Sequence, residues 1–225
     1  SAPGSANYER VCQMEHLAPP AEKRFRAMRK LADAGIPTGI CMMPILPGLC
    51  DDHANLENVV RWTADHGGQF VLASSLTLAD QQRDYFFTVL QQRFPELLAQ
   101  YQQLYPPGSY APLHYPWMDI ARRIRELCER YGIRDRQARP VVPGEKRALN
   151  KRIAEHLADQ TYSLELDNAP QGRIWAYRKA AWAVDDMEEE IGLFYRSMGQ
   201  KGLQSIPGIS PGIAVEIEKL ILSGT

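Results

Sequence analysis

The chain has little cysteine, and none of it in ligand spacing. Cys12, Cys41, Cys50 and Cys128 form no CxxC and no CxxxCxxC pattern. That spacing excludes a sequence-local zinc site and a self-contained iron–sulfur site. The thiols read as reduced and mostly buried, which suits a cytoplasmic compartment. The histidines His16, His53, His66, His114 and His156 are scattered without ligand spacing, so no metal site is expected. No apolar run approaches the ~18–20 residues that span a bilayer. Ser1 to Asn7 carries neither a basic start nor an apolar stretch, so no signal peptide is expected. An initiator methionine is also missing, and the chain is expected to begin inside a longer protein or after processing. It has no Ser/His/Asp set and no phosphate-cradling glycine loop. Nothing local in it therefore demands catalysis.

What is present is ordinary for a globular chain: 44% apolar and 24% charged residues over 225 positions, enough for one large domain or two small ones. Net charge is −1, so the whole is no polycation. Charge is less even locally. From Asp119 to Arg152 there are eleven Lys and Arg against five Asp and Glu. The eleven are Arg122, Arg123, Arg125, Arg130, Arg134, Arg136, Arg139, Lys146, Arg147, Lys151 and Arg152. Such a belt suits a polyanion, and a solvated helix face looks the same.

Arg139-Pro140-Val141-Val142-Pro143-Gly144 breaks both helix and strand, which places a domain boundary there and divides the chain into 1–139 and 140–225. Upstream, helical and strand patterns alternate. Residues 20–34 carry Phe25, Met28 and Leu31 at helical spacing. Residues 38–44 read as a buried strand, 52–66 as a helix on Leu56, Val59, Val60 and Thr63, and 69–76 as a second strand. Strand, helix and strand with short connections predict a right-handed parallel βαβ unit. Helices follow over 79–94, 95–104 and 116–131. Two strands are too few for a closed α/β domain, so this region reads as part of something larger. With two bare strand edges it should self-associate on its own.

Downstream the reading is all-helical. Leu149, Ile153 and Leu157 mark one helix, and Ile174, Tyr177 and Ala181 a second. Ile191, Phe194 and Met198 mark a third, stopped at Gly199. The informative segment runs Leu203-Gln204-Ser205-Ile206-Pro207-Gly208-Ile209-Ser210-Pro211-Gly212 and on to Ile217. Gly208 suits a tight turn at positive φ. Ser210 is a good N-cap and Pro211 fits the first helical position. Ile213, Ile217, Leu220 and Ile221 form an apolar stripe, closed by Gly224. Bare backbone N–H groups near Gly208, Ser210 and Gly212, at a positive helix end, suit a phosphate oxygen. Such contacts hold nucleic-acid backbone without reading sequence.

These residues resemble the helix-hairpin-helix family. Asn150 to Gly224, with Ala176-Tyr177-Arg178-Lys179-Ala180-Ala181 and Ile206-Pro207-Gly208-Ile209, is similar to the N-terminal DNA-binding domain of family X DNA polymerases. The resemblance covers about a third of the chain. It implies nucleic-acid contact, DNA ahead of RNA, at Ile206, Gly208, Ile209, Ser210, Gly212, Lys201, Arg178 and Lys179. Two departures stand out. Ser210 replaces the family's second hairpin glycine. Gly212 and Glu216 stand where lyase-active members carry lysines, so no Schiff-base amine is present and a deoxyribose-phosphate lyase is not expected. Residues 146–225 hold ten basic and eleven acidic side chains, which predicts modest electrostatic affinity.

Residues 1–132 resemble the C-terminal half of a radical S-adenosylmethionine barrel of the spore photoproduct lyase type. The carrying motifs are Glu15 with Ala18-Pro19-Pro20 and Arg24, and Leu31-Ala32-Asp33-Ala34-Gly35-Ile36-Pro37. Pro44-Ile45-Leu46-Pro47-Gly48 with Asp51-Asp52 follows, then Gly67-Gly68, Phe94-Pro95 and Tyr101 to Tyr105. The implied fold is α/β, the last two strands of a partial parallel barrel with its helices, followed by the all-α helix-hairpin-helix domain. The implied cofactors of the full-length protein are S-adenosylmethionine and a [4Fe–4S] cluster, whose three cysteines this chain lacks. Met43, Pro44, Ile45, Ser75 and Leu76 would border the S-adenosylmethionine, although plain barrel core explains the same residues as well. Cys41 and Cys50 flank the proline loop and could donate a hydrogen atom to a radical, although structural thiols are commoner. The combined expectation is a radical S-adenosylmethionine protein acting on nucleic acid, in modification or repair, with the missing barrel half as partner. The alternatives are a non-catalytic DNA-binding module, or a hairpin that docks a protein.

Overall fold

A computed structural model describes Met14, residues 19–139 and residues 144–224. Cys12, Glu15, His16, Ala18 and the seam at 140–143 lie outside the described residues. The chain divides into two compact units, the first ending at Gln137 and the second starting at Ala138. It is mostly helical, with a small two-stranded parallel sheet. No described helix is long and apolar enough to cross a membrane.

The first unit runs α1 (Ala21–Asp33), β1 (Gly39–Ile45), α2 (His53–Asp65), β2 (Phe70–Ser75) and α3 (Asp80–Arg93). A 3₁₀ turn (Pro95–Leu97), α4 (Leu98–Leu104) and α5 (Trp117–Arg130) complete it. Asp52 starts α2 by accepting the N–H of Asn55 at 3.0 Å, a cap of about 1 kcal/mol. Strands β1 and β2 pair in parallel, Gly39 opposite Phe70 and Ile45 opposite Ser75. Leu56, Val59 and Val60 of α2 and Ile124, Leu127 and Cys128 of α5 bury one face of this pair, against Met42, Ile45 and Val71. Each such aliphatic side chain contributes roughly 1.5–3 kcal/mol.

Three expectations need correction. The outer edge of β2 is occupied: Val71 N–H donates to the Arg134 carbonyl at 2.8 Å, and Arg134 N–H to Gln69 at 2.9 Å. Among the described residues only β1 keeps a bare edge, not both strands. Strand β1 is not buried throughout either, because Cys41, Met43 and Pro44 are exposed. Alternation sends Cys41 and Met43 to the face that no described helix covers, and the irregular register between Met42 and Ile45 keeps both of those on the packed face. Leu31 is exposed as well: α1 buries only Ala21, Phe25 and Met28, against Ile40 and Trp62.

In the second unit α6 (Ala148–Leu166) and α7 (Gln171–Asp186) form a helical hairpin, followed by α8 (Ile191–Ser205) and α9 (Pro211–Ser223). Ile153, Leu157, Ala181, Val184, Leu203, Ile213 and Ile217 close one core. Gly199 interrupts α8 at φ 61° and ψ −163°, so the expected stop is a sharp break rather than an end. Met198 just before it is exposed instead of joining the stripe.

Burial pushes the Cys50 thiol up to about 11, against the opposing pull of a backbone hydrogen bond from Leu46. Burial likewise pushes Cys128 up to about 12. Both raised values favour the protonated thiol. Their contribution to stability is complete below the ordinary thiol range and is lost as pH rises through about 11 to 12. At pH ~8 iodoacetamide should therefore label exposed Cys41 quickly and leave Cys50 and Cys128 intact until denaturant is added. Peptide mass spectrometry checks this, and Cys50 reacting as fast as Cys41 would contradict the packing.

Candidate nucleic-acid interface

The hairpin starts from the break at Gly199, which lets Gln200 to Ser205 run as a separate short helical piece. Ile206 then turns extended, and Gly208 takes φ +92°. A Cβ at Gly208 would also sit 3.4 Å from both the Cβ and the carbonyl of Lys179, so the turn lies directly on α7. The Ile209 N–H closes the turn onto the Ile206 carbonyl at 3.1 Å, and the Ile209 side chain is buried in the core. Ser210 Oγ accepts the Ile213 N–H at 3.4 Å, and its carbonyl accepts Ala214 N–H at 2.9 Å. Pro211 has no donor to lose. The N–H groups of Gly208, Ser210 and Gly212 have no intramolecular partner among the described residues. All three residues are exposed, and a Cβ on Gly212 would meet nothing within 4 Å.

The expected contact residues divide accordingly. Gly208, Ser210 and Gly212 form a bare, exposed turn, with exposed Lys179 beside it; Lys201 is exposed on the short piece of α8. Ile206 is half-buried and Ile209 is an anchor inside the core, so these two support the turn rather than line it. Arg178 is engaged elsewhere: it pairs with Glu165 and lies 4.9 Å over the Trp175 ring. Much of the basic belt is likewise paired. Arg139 meets Glu155 and Asp185, Lys151 meets Glu145, Arg122 meets Asp119, Arg125 meets Glu129 and Arg130 meets Glu57. Surface pairs of this kind add little stability, but they lower the positive charge that the sequence count suggests.

Glu216, at one of the two positions of the family's lysines, has a structural place of its own. It accepts the Tyr177 hydroxyl at 2.8 Å and His156 Nε2 at 3.1 Å. Burial, then the hydrogen bond to Glu216, raises the Tyr177 phenol. It therefore remains a donor through the neutral range, and this contribution disappears only as pH rises through the raised value.

Sequence reasoning overlooked the residue that sets the hairpin's entry. Asn150 is fully buried on α6; its Oδ1 accepts the Ile191 N–H at 2.8 Å and its Nδ2 donates to the Glu189 carbonyl at 2.9 Å. The first free N–H of α8 is thereby satisfied from another helix. An asparagine amid an apolar helical stripe was the only available signal, and it gives no partner.

In the first unit, the ends of β1 and β2 bring Ile45 and Ser75 into register. Ligands of parallel sheets bind beyond such strand ends. Ile45 and Leu76, however, are buried in the core, which leaves exposed Met43 and Pro44 and half-buried Ser75 available. The loop after β1 is tied down: Asp51 accepts Gly48 N–H at 2.8 Å and the Tyr115 hydroxyl at 3.0 Å. For a [4Fe–4S] cluster the described residues do not fit. Cys41 is exposed, Cys50 and Cys128 are buried core thiols, and no three His, Cys, Asp or Glu converge among the described residues.

No family profile matches the chain, and no solved structure matches it. Uncharacterized proteins of Mycobacterium bovis and of two strains of Mycobacterium tuberculosis are similar to it, each 28% identical over 136 residues. The match takes in 60% of this chain and 39% of each relative. The chain thus spans well under half the length of these relatives.

Asn150→Ala should strip the Ile191 N–H and the Glu189 carbonyl of their partner, destabilising the second unit by about 2–3 kcal/mol. Hydrogen exchange should show protection lost first at Ile191. Unchanged exchange there would mean that Asn150 does not hold the entry to α8.

Proposed function

We propose that the second unit grips nucleic-acid backbone, DNA ahead of RNA, through the turn from Ile206 to Gly212. In this reading the chain is the C-terminal section of a radical S-adenosylmethionine protein that modifies or repairs nucleic acid. The observation that carries the grip is the bare turn. The N–H groups of three exposed residues, Gly208 in the turn and Ser210 and Gly212 at the start of α9, have no partner among the described residues, with Lys179 alongside. Partial positive charge at a helix N-terminus and an unobstructed backbone let a phosphate oxygen approach closely. Lys179 and Lys201 add mobile charge, and contacts of this kind are independent of sequence.

The radical-enzyme half of the reading has weaker support. It rests on the resemblance of the first region and on a parallel βαβ unit that, among the described residues, keeps one uncovered face and a bare edge at β1. The described residues give no donor set for the cluster, so this section would supply strand ends near Met43, Pro44 and Ser75, and the hold on the substrate. A protein-docking hairpin is the competing reading, favoured by the extensive internal pairing of the basic belt.

Gly212 offers a clean test, because a side chain there meets open space. Gly212→Glu places a carboxylate at the phosphate position while suiting the start of a helix, so the fold should persist. Gly212→Ala, which keeps the N–H and adds only a methyl group, should lose less binding than Gly212→Glu and add about 0.5–1 kcal/mol of stability. Fluorescence anisotropy with the 225-residue chain and labelled DNA should show binding that weakens with salt. It should fall at least tenfold in Gly212→Glu and partly in Lys179→Ala/Lys201→Ala. Absence of binding by the unaltered chain at ~50 mM salt, where phosphate contacts are strong, would defeat the reading in favour of protein docking.

A further inference from the structure

Helix α7 carries two tryptophans that stand outside the buried core of the second unit. Trp175 is 43% exposed and Trp182 51% exposed, although Ile174, Ala180, Ala181 and Val184 of the same helix are buried. Leaving about half of two large aromatic side chains in water forgoes part of the stabilisation that full burial would bring. The helix core is complete without them. Their surroundings are also specific. The rings meet edge to face, with centroids 6.2 Å apart and planes inclined by 69°. Neither lies flat on the other, so ring area that a stacked pair would hide remains open. Arg178 lies over Trp175 at 4.9 Å and is held there by Glu165. Beside Trp182 a cleft of about 190 Å³ is lined by Arg139, Thr161, Tyr162, Glu165 and Arg178. That is smaller than the ~300–1,000 Å³ of typical small-ligand sites. It suits the edge of one planar group rather than an enclosed ligand.

Position connects this patch to the hairpin. Trp175, Arg178, Lys179 and Trp182 are spaced i, i+3, i+4 and i+7, which places them along one side of a helix. Lys179 is also the residue against which the Gly208 turn rests. The aromatic pair and its stacked guanidinium therefore share one side of the helix with the residue on which the turn rests.

We infer that the α7 face formed by Trp175, Arg178 and Trp182 is a stacking platform for unpaired bases, and that the nucleic acid held by this unit is single-stranded or locally opened. This deepens the proposed function and rests on it. A duplex hides its base faces, whereas an unpaired strand offers a π face at every nucleotide. Tryptophan and arginine planes are the side chains that take such faces. The phosphates would follow the Gly208–Gly212 turn and Lys179, while one or two bases lie on the tryptophans.

The test uses the 225-residue chain with a fluorescein-labelled oligothymidylate of about twelve nucleotides, a length within the ~4–16 that single-strand modules cover. A blunt duplex of equal length serves as the comparison. The single strand should bind more tightly and quench tryptophan emission. Trp175→Ala/Trp182→Ala should weaken single-strand binding at least tenfold and leave the weaker duplex binding nearly unchanged. Trp175→Phe/Trp182→Phe should restore most of the loss, since Phe keeps a stacking face. If the alanine pair binds the single strand like the unaltered chain while Gly212→Glu still abolishes binding, the platform is refuted and the backbone grip stands. If the phenylalanine pair loses as much as the alanine pair, stacking is not the cause and the platform is again refuted. Absence of any nucleic-acid binding removes both readings. A dimer in sedimentation velocity that the alanine pair dissolves would assign the face to a second copy and overturn the inference.

Discussion

Buried Asn150 on α6 accepts the N–H of Ile191 and donates to the carbonyl of Glu189, joining the start of α8 to the first helix of its unit. The rest of the hairpin's geometry depends on this contact. A buried amide pays a high desolvation penalty unless its groups are matched, so the entry to α8 has one favourable position. From there Gly199 redirects the chain, Leu203 and Ile209 anchor it in the core, and Gly208 rests on Lys179. The turn can be bare because everything around it is fastened. Rigid support beneath an exposed backbone is what an anion grip requires, since disordered N–H groups would lose more entropy on binding than one phosphate returns.

The same economy appears in the polar contacts near the turn. Glu216 stands between Tyr177 and His156, and Arg178 between Glu165 and the Trp175 ring. A charge committed to a partner is unavailable to phosphate. The cations left at the turn are therefore few, and backbone N–H groups and aromatic faces take the larger share of the proposed contact. A near-neutral unit holding nucleic acid in this way would depend less on salt than a basic one.

In the first unit a comparable role falls to the loop between β1 and α2. Asp51 and Asp52 each take a backbone N–H, and Asn55 donates to the Cys50 carbonyl. These contacts fix the crossover that keeps β1 and β2 parallel. The packed face of the pair is complete, and Cys41 and Met43 lie on the other, where no described helix covers them.

Most of this architecture was legible in the sequence. Helix and strand periods, the proline and glycine punctuation, the Ser210 cap and the Gly208 turn are local signals, and local backbone preferences decide them. The candidate turn residues were legible for the same reason. Three features were not. The bridge of Arg134 to β2 joins residues far apart in the chain, and a single residue carries no strand pattern. The burial of Met42 and Ile45 on either side of exposed Met43 and Pro44 depends on a register irregularity that no alternation rule anticipates. The tryptophans of α7 sit at helical spacing whether they face core or solvent. The sequence by itself determined which segments fold and where the chain turns, because those depend on near neighbours. Only the tertiary structure decided which charges are already spent, which apolar side chains remain uncovered and what the hairpin rests on, because each depends on a partner that the chain brings close by folding.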